Sequence, residues 1–581
     1  MCGRCRESTK PRLPQVRPIE SRFLRSSYVA SDEEALSLIS LLEEEKEGIL
    51  WYKEEMARVR RWLQELEAGK QALRSNIQRR RSVLSAQRRM PAELWEIIFD
   101  MVSKPPNQDG YSLDMYYYSR HLSMIPVTLS HVCSRWRDIA LGCPKLWSSI
   151  RLEFRDIPGH AHDVLRTFVR NAKGYPLQIC MCTVGQGTSQ RYPDQKCWEV
   201  LSEQFRRCSE LVMESSDFHT FLKRVPVPRV AFANLAAFKA IARFGDDQLE
   251  LEDWLIQALR CAPKLAKIQT TVVLPISSLP YPQLTEMKIE RLDIAYFQDF
   301  IAALRVSTNL RTLDIVSLEG DTRDFDFVGA SRSTVRLPSL QTLMIGTAVE
   351  LQALGINDPY FVCLFTSLEM PLLHTLQLRY NEPWWDSGVP WPPSLLSMLS
   401  HASSSLRRLT MCLDAFEGTQ QPLSVVLQTV PNLVCFTLQV IPTTNQDDEI
   451  DPPLDVIDID EYISSFLSDL TSQKNLMPNL NTLFFRFRDL SLKNLDILGR
   501  MLELAKARSP SMVTNTPGLR ALTNLRLECF RWENGLFPEP VLGSVEEMET
   551  VEALRREGVS FDMKDVEGDI SLAEEADRLW M

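Results

Sequence analysis

Glycine is scarce, at 22 of 581 residues, and the glycine-rich loops that cradle phosphates are missing with it. That absence removes nucleotide-hydrolysing signalling proteins from consideration. No nucleophile elbow occurs either, which removes the serine hydrolases that need one. Histidine is rarer still, at 7 residues, and His160-Ala161-His162 is the nearest approach to a ligand pair. No cysteine or carboxylate constellation accompanies it, so two surface histidines are the simpler reading. Cys2-x-x-Cys5 lacks a second pair at zinc spacing. No run of about 18 apolar residues exists and no signal-peptide core opens the chain, so neither a membrane span nor secretion is expected. The 13 cysteines are an odd number scattered through apolar patterns and read as reduced thiols of an intracellular protein, cytoplasmic or nuclear. A net charge of −11 argues against a nucleic-acid partner. No catalytic residue, metal ligand or cofactor is nominated, and the chain is not expected to be an enzyme.

What the chain does have is organised around Met90–Ile150. Pro91 suits the first position of a helix. Leu94, Ile97, Ile98 and Met101 form one stripe at helical spacing, and Trp95, Phe99 and Val102 form a second. A helix apolar on two faces needs cover on two sides. After the polar insert Ser103–Met124, Leu129, Val132, Cys133, Trp136, Ile139 and Ala140 keep the same rhythm between Pro126 and Gly142. Cys143-Pro144-Lys145-Leu146-Trp147 adds an apolar hook. So few residues cannot bury this much apolar surface alone, and a neighbour is required.

Met90-Pro91-x-Glu93-Leu94-x-x-Ile97-Ile98-Phe99, then Leu129-Ser130-x-Val132-Cys133-x-x-Trp136-x-x-Ile139-Ala140 and Pro144-x-Leu146-Trp147, resembles an F-box. The insert separates the two halves more widely than in the short animal form. With a long helix before it and irregular repeats after it, the whole resembles the F-box proteins abundant in mushroom-forming fungi. The resemblance implies docking on the Skp-type adaptor of a cullin–RING ubiquitin ligase through Pro91, Leu94, Ile97, Ile98, Phe99, Leu129, Val132, Cys133, Trp136, Ile139, Pro144, Leu146 and Trp147. The chain would then be the non-catalytic receptor for an unknown target protein. A scaffold joining partners without ubiquitin transfer is the alternative.

Residues 1–31 carry seven Arg/Lys against Glu7 and Glu20 and read as a disordered basic tail. Residues 32–89 contain no proline and follow a heptad. The a positions are Ala35, Leu42, Ile49, Met56, Leu63, Lys70, Ile77 and Leu84; the d positions are Leu38, Glu45, Tyr52, Val59, Leu66, Leu73, Arg80 and Gln87. Twelve of those sixteen are apolar, a coiled-coil signal that makes self-association through this helix an expectation. Ser31-Asp32-Glu33-Glu34 supplies a cap, and Gly69 beside Lys70 is a candidate hairpin break.

The F-box-like segment is expected to be all-α and to span 90–152. Over 153–543 an L-x-x-L-x-L pattern follows helix-like runs, at Leu284, Leu310, Leu340, Leu373, Leu406, Leu433 and Leu480, with a looser copy at Leu522. The first six starts are 26, 30, 33, 33 and 27 residues apart. Each unit offers a short strand and a covering helix, and none buries its core alone. Stacked units therefore predict an irregular leucine-rich-repeat-like α/β solenoid with parallel strands. Leu313, Leu343, Leu376, Leu409, Phe436 and Leu483 would form an inner ladder. Asp314, Met344, Gln377, Thr410, Thr437 and Phe484 would then face solvent opposite it. With Trp384, Trp385 and Trp391 of an aromatic insert, Asp314, Met344, Gln377, Thr410 and Phe484 are the candidate target contacts. Residues 544–581 read as a terminal cap and an acidic tail.

Overall fold

The computed structural model describes residues 14–25, 27–103, 111–115, 123–154, 161–183, 195–215, 222–223, 225–228, 231–242, 251–271, 273–274, 278–319, 334–346, 359–378, 393–414, 423–441, 459–488, 496–514, 518–531 and 545–567. Two units divide the chain, Met1–Trp95 and Glu96–Met581.

The first unit is dominated by α1 (Asp32–Leu84), 53 residues long and so about 80 Å from end to end. Ser31 opens it with a capping box: Ser31 Oγ accepts the Glu34 N–H at 3.4 Å, and the Glu34 carboxylate accepts the Ser31 N–H at 3.0 Å. The Tyr28 hydroxyl donates to the same carboxylate at 2.5 Å, and these bonds hold Glu34 below the ordinary carboxylate range. The candidate hairpin break at Gly69 is not used; the helix runs through it. A lone glycine costs a helix about 1 kcal/mol, and with no proline nearby the turns on either side carry the helix across.

Among the described residues, the second unit holds a sheet of 16 strands. α2 (Ala92–Ser103) crosses the boundary between the units, and β1 (Leu113–Met115), β2 (Ser123–Met124), α3 (Ile125–Ser130), α4 (Ser134–Gly142) and β3 (Ser149–Glu153) follow. The segment expected to be all-α therefore contains two short strands from its insert. Leu113 and Met115 alternate with Asp114, as a strand with one buried face requires. β1 pairs parallel with β3 and antiparallel with β2, which forms the sheet edge.

From β3 onward the strands follow chain order and pair in parallel, through β4 (Leu177–Thr183) and β5 (Cys208–Ser215) to Ser560–Glu567. Helices alternate with them, which makes this unit a leucine-rich-repeat-like α/β solenoid. One apolar residue per strand lines up across the sheet. Leu113, Ile150, Ile179, Leu211, Phe238, Ile268 and Met287 lead into Leu313, Leu343, Leu376, Leu409, Phe436, Leu483, Leu525 and Phe561. None is more than 5% exposed.

At three of the repeats, an asparagine in the turn before the strand bonds back to the preceding repeat. Asn234 Nδ2 donates to Arg206 O at 3.0 Å, Asn309 to Pro282 O at 2.7 Å and Asn432 to Ser403 O at 3.2 Å. Gly346 sits where an added Cβ would run into the Val316 carbonyl of the neighbouring unit, so close strand approach requires glycine there.

Arg508 is 2% exposed. Its guanidinium donates to Met477 O at 2.9 Å, Leu476 O at 2.7 Å and Leu470 O at 3.2 Å. It thereby satisfies carbonyls near the end of the helix Ile459–Ser472, where a cation is also favoured by the helix dipole. Arg508→Met should remove three buried hydrogen bonds, although Met477 O keeps the Leu480 N–H, and lower unfolding free energy by about 3 kcal/mol. The urea midpoint checks this, and a midpoint unchanged from wild type would count against it.

Candidate functional site

The helix α2 shows its two apolar stripes differently. Trp95 and Phe99 of one stripe are buried while its third member, Val102, is 51% exposed, and Leu94, Ile97, Ile98 and Met101 of the other are 49%, 56%, 36% and 69% exposed. Of the two expected sides, one is covered in part and the other is bare. Phe99 meets Trp136 edge-on at 5.0 Å between ring centroids, and Lys145 Nζ donates to Asp100 Oδ2 at 2.7 Å. Cys133 caps α4, its sulfur accepting the Trp136 N–H.

The hook closes this small core. Trp147 donates its indole N–H to Ala140 O at 2.8 Å and packs edge-on against Phe168 at 4.9 Å. Leu129, Ile139, Leu146 and Trp147 are buried, Trp136 and Pro144 half-buried, and Pro91, Val132 and Cys133 exposed. The thirteen residues thus sort into an interior that fixes the helices and a bare apolar rim. A single exposed hydrophobic needs no explanation, but a stripe of them at helical spacing marks a surface built to be covered.

The face opposite the inner ladder keeps its register and loses its exposure. Asp314 aligns with Met344, Gln377, Thr410, Thr437 and Phe484 along the strands. Asp314, Gln377, Thr437 and Phe484 are buried, however, and Met344 and Thr410 half-buried, so this row does not face solvent as expected. Parallel strands about 4.8 Å apart press each side chain between two neighbours; Phe484, for instance, lies under both Arg486 and Arg526. Trp384, Trp385 and Trp391 lie outside the described residues, as does His160. His162 Nε2 stands 3.3 Å from Asp163 Oδ1.

Sequence reasoning missed the densest polar cluster, on β3, β4 and β5. Arg151 Nη2 donates to Glu214 Oε2 at 2.9 Å, and Arg151 Nε to Cys182 Sγ at 3.4 Å. Cys180 and Cys182 Sγ atoms are 3.5 Å apart, and the Arg151 guanidinium lies over the Tyr111 ring. Cys180, Cys182 and Glu214 offer ligand atoms within 4.8 Å of one another. Yet Arg151 already occupies the carboxylate and one sulfur with a positive charge, which a metal ion would have to displace. Burial pushes the Cys180 thiol well above its ordinary value, away from the thiolate that metal binding or nucleophilic attack needs. The cluster is a neutralised structural network. Its signal in the sequence was the alternation Cys180-x-Cys182, two residues on one face of a strand.

The chain combines a long helix, a leucine-rich-repeat-like solenoid and a partly bare amphipathic helix. No family model matches this chain, and no curated protein matches it either. Among the described residues, no helix is long and apolar enough to cross a membrane.

Arg151→Met should leave Glu214 buried without its cation and cost about 3–5 kcal/mol of stability. Adding Glu214→Leu should recover most of that loss, because an apolar pair removes the uncompensated charge. Thermal melts of the single and double variants check this; a double variant no more stable than the single would contradict it.

Proposed function

We propose that this chain is the substrate-recognition subunit of a cullin–RING ubiquitin ligase, docking on a Skp-type adaptor through its F-box-like segment and holding a target protein on its solenoid. The observation that carries the reading is the uncovered stripe Leu94, Ile97, Ile98 and Met101, with Val132, inside the sequence pattern that resembles an F-box. Ile97, Ile98 and Val132 supply direct adaptor contacts in this reading, with Pro91 and Leu94 at the helix start. Phe99, Leu129, Ile139, Leu146 and Trp147 set the helix positions from within. The ligase reaction itself belongs to other subunits, and this chain contributes proximity between target and ubiquitin-charged enzyme. The other reading, a scaffold without ubiquitin transfer, draws on the exposed heptad positions of α1.

Affinity capture of the full chain from cells separates the two, because a receptor carries adaptor and cullin with it and a scaffold does not. Ile97→Asp combined with Val132→Asp should reduce adaptor recovery by about tenfold or more, since a truncated apolar anchor commonly costs ~1–3 kcal/mol of binding. The variant should keep the wild-type circular dichroism spectrum, because neither side chain is buried. Capture of the wild type without adaptor or cullin would defeat the assignment.

A further inference from the structure

We propose that α1 pairs with α1 of a second copy of this chain, antiparallel, in the one register that sets Glu45 opposite Lys70 of the copy. Three observations lead there. First, the a and d positions from Leu42 to Leu84 that carry apolar residues are exposed, apart from half-buried Tyr52, and the exposed ones all exceed 50%. The segment preceding the helix reaches the seam at Tyr52, which donates its hydroxyl to Pro14 O at 3.4 Å, and Arg17 lies 3.7 Å from Glu44 beside it; Ala35 and Leu38 near the helix start are half-buried. A solvated stripe of this length at heptad spacing is a seam without its partner.

Second, the ends of the helix are oppositely charged. Residues 32–55 hold nine acids against Lys46 and Lys53, a net of −7, and residues 58–89 hold ten bases against Glu65 and Glu67, a net of +8. Folding back at Gly69 would have let one chain use this polarity on itself. The helix is continuous to Leu84, so α1 does not use this polarity on itself.

Third, the charged seam positions select the register. Antiparallel seams place an a residue against a d residue. With Glu45 against Lys70, Leu42 meets Leu73, Ile49 meets Leu66 and Met56 meets Val59. The other two pairs between residues 38 and 77 are apolar as well, and Arg80 falls opposite Ala35 near the helix end. This register centres between Met56 and Val59, the middle of Asp32–Leu84, so the helices overlap along their whole length. Sliding by one heptad would set Glu45 against Leu63 or Ile77 and strand Lys70 in an apolar layer. A parallel pair would stack Glu45 on Glu45 and Lys70 on Lys70. Lys53 and Arg60 meet as like charges near the centre, but both are exposed and flank the seam, where salt screens them. Buried polar pairs of the Glu45–Lys70 kind are a known means of fixing register and orientation.

The test uses the full chain, of 66.7 kDa per copy, in sedimentation equilibrium with circular dichroism as a folding control. Wild type should be a dimer. Glu45→Lys alone, and Lys70→Glu alone, should each weaken the dimer by ~10-fold or more, because either change puts like charges together twice in the seam. The double variant should restore wild-type association. A parallel dimer would show no such rescue, and that result overturns the proposal. So does a wild-type chain that stays monomeric at ~100 μM, or a dimer indifferent to both single changes. Adaptor capture should be unchanged in all three variants, so the outcome is independent of the function proposed above.

Discussion

A short strand with one apolar face cannot exist by itself, and everything in the second unit follows from that constraint. The row from Leu113 to Phe561 contributes one side chain per strand, and each is buried only because the strands on either side are present. Stability is therefore spread along neighbour contacts instead of residing in one centre. The same constraint makes the two sheet edges vulnerable, since an unpaired strand is a template for another chain. One edge is closed by the two-residue β2 turned antiparallel to the rest. The other is Ser560–Glu567.

On the face opposite the apolar row, two groups of buried charge are neutralised across strands. Arg151 of β3 reaches past β4 to Glu214 of β5. Arg486 pairs with Glu528 directly opposite at 3.1 Å, and Arg526 closes on the same carboxylate. Such pairs add little net stability against apolar side chains of the same size. Their consequence is register: a strand that slipped by one residue would turn a charge into the helix-covered core. Repeats of irregular length, whose apolar residues are nearly interchangeable, benefit from such pins at intervals.

The strands of the repeats were legible because L-x-x-L-x-L fixes both a period of two and the position of the preceding turn. Leu313, Leu343, Leu376, Leu409, Phe436 and Leu483 align as that pattern requires. Leu113 was not legible, since three residues inside a polar insert carry too little periodicity to mark a strand. Nor was the burial of Asp314 and Gln377, which depends on side chains supplied by adjacent strands and not on local sequence. Gly69 misled for a related reason. A propensity is a weak local preference, and a long proline-free helix outweighs one glycine. For the rim of α2, periodicity identified both apolar stripes, but which one the chain covers is decided by tertiary packing of Phe99 on Trp136.

In an antiparallel seam that overlaps from Asp32 to Leu84, as proposed for α1, the two Leu84 ends would lie at opposite extremes of a rod about 80 Å long. A parallel seam would bring both Leu84 ends to one extreme and would stack acid on acid and base on base along the helix. The charge order along α1, acidic first and basic last, thus bears on more than the helix dipole. Under the proposed pairing, the same order also sets the orientation in which two copies meet.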